Sequence, residues 1–273
     1  MTDAEFKLFR DLIYAECGMY LRPGNKDFLN SRVVKRMAEI NVNTPYWYYR
    51  LITDGNKSEL IKLLDLLTIN ETSFFRNKPQ FDLFRKKILP DVIKKREEAG
   101  ERVLRIWSAG CSTGEEPYTI AMVANEAVPK GWKVRIFASD LSLSALETAN
   151  RGIYDVKKTM QEVDGYYVER YFESVGNSLR ILESLKRMIV FDFHNLKLEH
   201  GLSDIDIVFC RNVMIYFDEE EHKRLIRKFH KCINDNGYLL IGHAESIQWW
   251  DSGFEFLHDK KGTAYKKVRA EKP

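Results

Sequence analysis

Nowhere in the 273 residues does a run approach the roughly 18 apolar side chains of a spanning helix, so no direct membrane insertion is expected. The N-terminal stretch also lacks a cationic segment followed by an apolar one, and a cytoplasmic protein is the expectation. Cys17, Cys111, Cys210 and Cys232 have no short paired spacing, which disfavours disulfides and cysteine metal sites. The histidines form no HExxH pair, and no metal is expected. Charge of one sign is scarce as well: 43 Lys and Arg face 40 Asp and Glu, too even a balance to advertise a nucleic-acid partner. A G-x-G-x-x-G fingerprint and a Gly-Lys-Ser/Thr ending are both missing, which weakens any phosphate-binding reading.

What is present is an ordinary globular composition, 44% hydrophobic and 30% charged, in a chain long enough for a catalytic domain and a smaller companion. Phe6, Phe9, Leu12 and Ile13 recur at helical spacing over 3–16, and Phe28, Leu29, Val33, Met37 and Ile40 do so over 27–40. Arg32, Lys35 and Arg36 fall on the remaining arc of the second segment and are expected outside. With 45–52 and 57–68, these helices make a small all-helical domain over 1–70. A linker follows over 71–98, helical from 80 and interrupted near Pro90.

From residue 99 the pattern alternates. VLRIW (103–107), VRIFAS (134–139), IDIVFC (205–210) and YLLIG (238–242) read as strands, and 115–127, 142–150 and 219–233 as helices. The fold class is therefore α/β: a doubly wound, mostly parallel sheet in a domain over 99–273. FEFLH and TAYKKV are expected as a terminal antiparallel pair. Between about 155 and 190, YVERYFES, SLRIL and RMIVFDF read as a small antiparallel insertion.

In such sheets ligands sit beyond the carboxyl ends of the strands. Gly110 and Gly114, in WSAGCSTGEEPY (107–118), would permit a tight turn and close approach to a ligand. Glu115 and Glu116 either cap a helix start or place a carboxylate toward a cationic ligand. Asp140, at the end of the second strand, is either a grip on ribose hydroxyls or an N-cap for the helix that follows. Together they suit an adenosine-bearing ligand with positive charge and no pyrophosphate, a description S-adenosylmethionine meets.

Six segments carry a resemblance: NETSFFR (70–76), WSAGCSTGEEPY, FASD (137–140), HNL (194–196), CRNVMIYF (210–217) and GHAES (242–246). Their ordered set resembles the chemotaxis receptor glutamate methyltransferases, the CheR family, over nearly the whole chain. The resemblance implies a methyltransferase fold and methyl transfer from S-adenosylmethionine to glutamate carboxylates on the cytoplasmic helices of chemoreceptors, leaving S-adenosylhomocysteine.

It also implies roles. Asn70, Thr72 and Arg76 cross over toward the cofactor, Glu116 and Asp140 hold its methionyl amino and ribose ends, and Gly110 lies beside it. Asn195 and Leu196 border the adenosine; Arg211, Asn212 and Tyr216 line the wall toward substrate, and Arg211 and Asn212 are expected to bind the cofactor as well. Arg76, Tyr216 and Asn212 are the expected catalytic side chains, though VMIYF alone would read Tyr216 as core packing. Phe74 and Phe75 are expected to anchor the crossing segment, and His243 and Glu245 to support rather than react. Arg32, Lys35 and Arg36 are the expected receptor contacts. The short connection ESVGNSLRIL (173–182) argues against docking of a receptor C-terminal tail, and no segment resembles a dedicated pairing helix, so a monomer is expected, recruited to membrane receptor arrays through protein contacts. Methyltransferases of nucleic acid or small molecules, and a non-catalytic sensor, are the competing readings.

Overall fold

The computed structural model describes residues 1–247, 252–259 and 262–268. Four amphipathic helices open the chain: α1 (Asp3–Cys17), α2 (Lys26–Glu39), α3 (Pro45–Thr53) and α4 (Lys57–Leu67). Thr2, Thr44 and Asn56 start three of them by accepting a hydrogen bond from a first-turn N–H that the helix itself leaves without a partner. Phe9, Ile13, Leu29, Val33, Tyr48 and Leu63 are wholly buried where the apolar stripes meet.

The basic ridge expected of Arg32, Lys35 and Arg36 is not one surface. Arg36 is only 7% exposed, and its Nε and Nη2 each lie 2.7 Å from an oxygen of buried Glu59. Tyr48 donates to the same carboxylate at 2.9 Å, and Glu39 also binds the guanidinium. The physical reason is spacing: position 36 follows Leu29 and Val33 by seven and three residues, so it shares their inward stripe, and Glu59 across the core compensates its charge. Arg32 lies over the Phe28 ring at 3.8 Å, and Lys35 is exposed.

The linker runs as α5 (Lys78–Leu83), a single wider π-helical turn over Phe84–Ile88, and α6 (Leu89–Glu98). The expected interruption thus falls just ahead of Pro90, which has no N–H to donate back into that turn. Gln80 pins α5 to the sheet by donating to the carbonyls of Ile241 and Thr263 at 3.0 and 2.8 Å. Arg96, buried in α6, reaches Asp206 at 2.7 Å.

The main sheet contains β1 (Val103–Ala109), β2 (Lys133–Asp140), β6 (Ile189–Phe193), β7 (Ile205–Cys210), β8 (Ile233–Ile241), β9 (Phe254–Asp259) and β10 (Gly262–Lys267), in the order β6-β2-β1-β7-β8-β10-β9. The first five strands in that order are parallel; β10 and β9 add antiparallel at the end, as FEFLH and TAYKKV suggest. Core side chains pack on both faces, which is why these strands read as nearly continuous apolar runs. Helices α7 (Glu115–Ala127), α8 (Leu143–Arg151) and α12 (Glu219–Cys232) supply the crossovers.

A second, three-stranded antiparallel sheet has the order β3-β5-β4, from β3 (Ile153–Asp155), β4 (Phe172–Val175) and β5 (Ser178–Ile181), with α9 (Val156–Glu162) and α10 (Gly165–Tyr171) between. RMIVFDF, expected within this insertion, instead follows α11 (Glu183–Lys186) as β6 of the main sheet, parallel to β2. The insertion's third strand is Ile153–Asp155, too short to show a period-two pattern in the sequence.

Candidate active site

Beyond the carboxyl ends of β1, β2 and β7 lies a solvent-open cavity, where open parallel sheets bind their ligands. It brings together Asn70, Thr72, Arg76, Gly110, Glu116, Asp140, Asn195, Leu196, Arg211, Asn212 and Tyr216. Arg32, Lys35 and Arg36 do not border it.

Gly110 sits at the turn after β1 with φ 86°, and a Cβ there would meet a Val213 methyl at 2.3 Å. Its bareness lets the β1 and β7 ends approach each other as well as bordering the cavity. Gly114 makes the expected tight turn, with φ 96°, but it packs against Ala149 of α8, whose Cβ a side chain would meet at 2.9 Å, and it does not line the cavity.

The two acidic residues at the start of α7 separate in role. Glu115 is buried, accepts from Thr113 Oγ1 at 2.6 Å and lies 3.8 Å from Lys158, away from the cavity. Glu116 lines it, accepting from Ser108 Oγ at 2.7 Å and from Arg211 Nη1 at 3.2 Å. Burial pushes the Glu116 carboxyl above its ordinary value, with Arg211 pulling the other way. Burial likewise pushes Arg211 down, though a guanidinium remains charged. Arg211 also donates to the main-chain carbonyl of Arg76, and its buried Nε has no protein partner among the described residues.

Asp140 is not an N-cap: Ser142 fills that place for α8, accepting from Ala145 N. The Asp140 carboxylate accepts from the Ser112 N–H at 2.8 Å and the Ser142 N–H at 2.9 Å. Each oxygen keeps a lone pair, the arrangement vicinal hydroxyls need. Burial raises its carboxyl, against those hydrogen bonds.

Arg76 stands between two left-handed residues, Phe75 at φ 52° and Asn77 at φ 63°. That backbone is costly for an aromatic residue, and packing holds it. Phe74 stacks edge-on with Tyr154 at 4.9 Å, and Phe75 lies 4.9 Å from Tyr167. The crossing segment is thereby fixed to the insertion, and Arg76 Nη1 donates to the Glu71 carbonyl at 2.8 Å.

The loop after β7 carries Arg211, Asn212 and Tyr216. Asn212 adopts φ 59°, and Glu245 folds the loop by accepting from the N–H groups of Asn212, Ile215 and Gly242 at 3.1, 3.2 and 2.6 Å. A Cβ on Gly242 would fall 2.8 Å from that carboxylate. Burial raises the Tyr216 hydroxyl. His243 is exposed and outside the cavity lining.

Several contributors escape sequence reasoning. Cys17 and Met19, from the helical domain, wall the cavity, which no local motif signals. Asn195 donates to the Glu16 carbonyl at 2.7 Å, so the loop after β6 and α1 meet there. Buried Lys228 donates to the carbonyls of Leu196, Lys197 and Leu198 at 3.3, 2.6 and 2.7 Å. A signal for Lys228 existed, since it follows Leu225 by three and precedes Cys232 by four on the inward stripe of α12.

Residues 70–263 match the family model "CheR methyltransferase, SAM binding domain", and residues 4–68 match "CheR methyltransferase, all-alpha domain". The chain is 36% identical over 256 residues to the chemotaxis protein methyltransferase of Borreliella burgdorferi, covering 91% of this chain and 90% of that one. It is 30% identical to chemotaxis protein methyltransferase 2 of Vibrio cholerae, over 98% of this chain and 94% of the relative. With the Escherichia coli chemotaxis protein methyltransferase it shares 33% identity over 93% and 88% of the two chains.

Proposed function

The chain belongs to the CheR methyltransferase family, and from that premise we propose that it methylates side-chain carboxylates of glutamates on the cytoplasmic helices of chemoreceptors, using S-adenosylmethionine. The products are glutamate methyl esters and S-adenosylhomocysteine. The single observation carrying this reading is the shared cavity of Arg76, Arg211, Asn212 and Tyr216 with Glu116 and Asp140.

These residues fit S-adenosylmethionine on their own chemistry. Asp140 offers two acceptors for ribose hydroxyls, Glu116 a carboxylate for the amino group, and Arg211 Nε a buried donor that a ligand carboxylate would satisfy. Asn195 and Leu196 border the adenosine side. When bound, S-adenosylmethionine supplies a methyl group already activated on a sulfonium.

Little acid-base work remains for the protein. A glutamate acceptor, with an ordinary pKa near 4.3, arrives ionised at neutral pH. Arg76 aims its carboxylate with a rigid guanidinium fork. Asn212 and Tyr216 complete the wall, a hydrogen-bonding amide beside an aromatic face. Pre-organisation of this kind contributes several kcal/mol in the transition state, provided Arg76 does not stabilise the ground state equally.

Exposed Lys35 and half-buried Arg32 of the helical domain steer toward acidic receptor helices, with buried Arg36 holding α2 in place. No helix among the described residues is long and apolar enough to cross a membrane, and the reading has the protein reach receptor arrays through protein contacts. It acts as a monomer and without docking a receptor tail; the two-residue turn Gly176-Asn177 between β4 and β5 supports the latter. Transfer of a radiolabelled methyl group to receptor, released by base as methanol, tests the proposal. A label that stays base-stable, or that enters nucleic acid or a small molecule instead, would overturn it.

A further inference from the structure

A second concavity, about 860 Å³, lies between the helical domain and the loop after β7. It shares Met19, Ile69, Tyr216 and Phe217 with the donor cavity, so the two are separated by one layer of side chains. Large apolar groups stand exposed along it: Tyr20 at 49%, Ile69 at 53% and Ile215 at 52%. Such exposure in one place is unusual unless something covers it. Arg22 lines the same groove, and Arg32 lies over Phe28, another of its lining residues. Neither guanidinium pairs with a carboxylate among the described residues; Arg32 donates only to Ser31 Oγ and the Phe28 carbonyl.

We propose that this groove receives the turn of the acceptor protein's helix next to the glutamate being methylated, its apolar flank against Tyr20, Ile69 and Ile215 and its acidic flank toward Arg22 and Arg32. The inference rests on the glutamate-methylation reading above. Its ground is continuity and charge. Tyr216 belongs to both concavities, and side chains three or four residues apart on a helix are only about 5–6 Å apart. A helix that brings a glutamate to Tyr216 therefore lays its neighbouring turn in the groove. A cationic rim complements an acidic helix and raises its encounter rate. A small-molecule acceptor would need no such extension of the site.

The test compares wild type, Arg22→Glu and Tyr20→Asp in methylation of a purified receptor cytoplasmic fragment at low salt. Both substitutions should raise the KM for receptor, Arg22→Glu by about tenfold and less at high salt, leaving kcat at saturation and S-adenosylhomocysteine affinity within about twofold. Retained affinity also certifies the fold. Because all four native cysteines are buried, Arg22→Cys offers a single accessible thiol, which should form a disulfide with a receptor cysteine one turn from the methylated glutamate. Unchanged KM in both variants, or no disulfide, overturns the groove assignment. So does self-association that Arg22→Glu abolishes, which would give the groove to a second copy of the chain. If wild type itself makes no base-labile ester on receptor, the underlying function fails instead, and the two failures are distinguishable.

Discussion

Arg211 Nη1 lies 3.2 Å from the Glu116 carboxylate, joining the end of β7 to the first turn of α7 at the cavity beyond the strand ends. Both side chains are largely removed from water, at 3% and 11% exposure, so neither charge is tolerable without the other. Glu116→Gln should weaken S-adenosylhomocysteine binding at least tenfold, as expected when a charge-assisted hydrogen bond is lost. Glu116 is pushed above its ordinary 4.5 by burial, so the native state holds its proton more tightly than the unfolded chain. Its contribution to stability therefore falls as pH rises from 4.5 through the raised value. Affinity for the cationic amino end runs the other way, falling as pH drops through that value. Calorimetric titration of S-adenosylhomocysteine against pH should show this slope in wild type and lose it in Glu116→Gln.

Arg76→Ala should lower kcat by about a hundredfold to a thousandfold, the usual loss for a positioned donor, with S-adenosylhomocysteine affinity changed less than about threefold. Arg76→Lys keeps the charge and loses the fork, and should recover only part of the rate. Single-turnover methyl transfer separates this from slow product release. Equal rates in wild type and Arg76→Ala would remove Arg76 from the chemistry.

Glu245 does not itself line the cavity, but accepts from three backbone N–H groups, one of them that of the lining residue Asn212. Glu245→Gln turns an acceptor oxygen into a donor opposed to those N–H groups. The loop bearing Arg211, Asn212 and Tyr216 should relax, so kcat falls about tenfold or more while receptor KM changes little. A stability loss with kcat intact would make Glu245 structural only.

Burial opposes ionisation of Glu59, but hydrogen bonds from Arg36 and Tyr48 outweigh it and hold the carboxyl below its ordinary 4.5. Its stabilisation is present above that value and is lost as pH falls through the depressed one. Arg36→Met leaves Glu59 buried without its cation and should cost about 3–5 kcal/mol, whereas Lys35→Glu, on the surface, should stay within about 0.5 kcal/mol. Urea unfolding of both variants, with wild type followed down in pH, checks the contrast. A receptor-binding experiment that reverses all three basic residues together would measure unfolding.

Local chemistry was enough to read most of this molecule from its sequence. Apolar spacing located the four opening helices, continuous apolar runs located the buried parallel strands, and the glycine-and-acid turn after VLRIW pointed to the strand ends where Glu116 and Asp140 line the cavity. Those patterns depend on neighbours within one turn or one strand, which the order of residues records. The tertiary structure decided what distant partners determine. Arg36 stays charged on the inward stripe because Glu59 waits across a core, RMIVFDF joined the main sheet because β2 offers an open edge, and the cavity acquired a wall from α1 that no motif announces. Such outcomes hinge on long-range pairing and charge compensation, energies that exist only once the chain has folded.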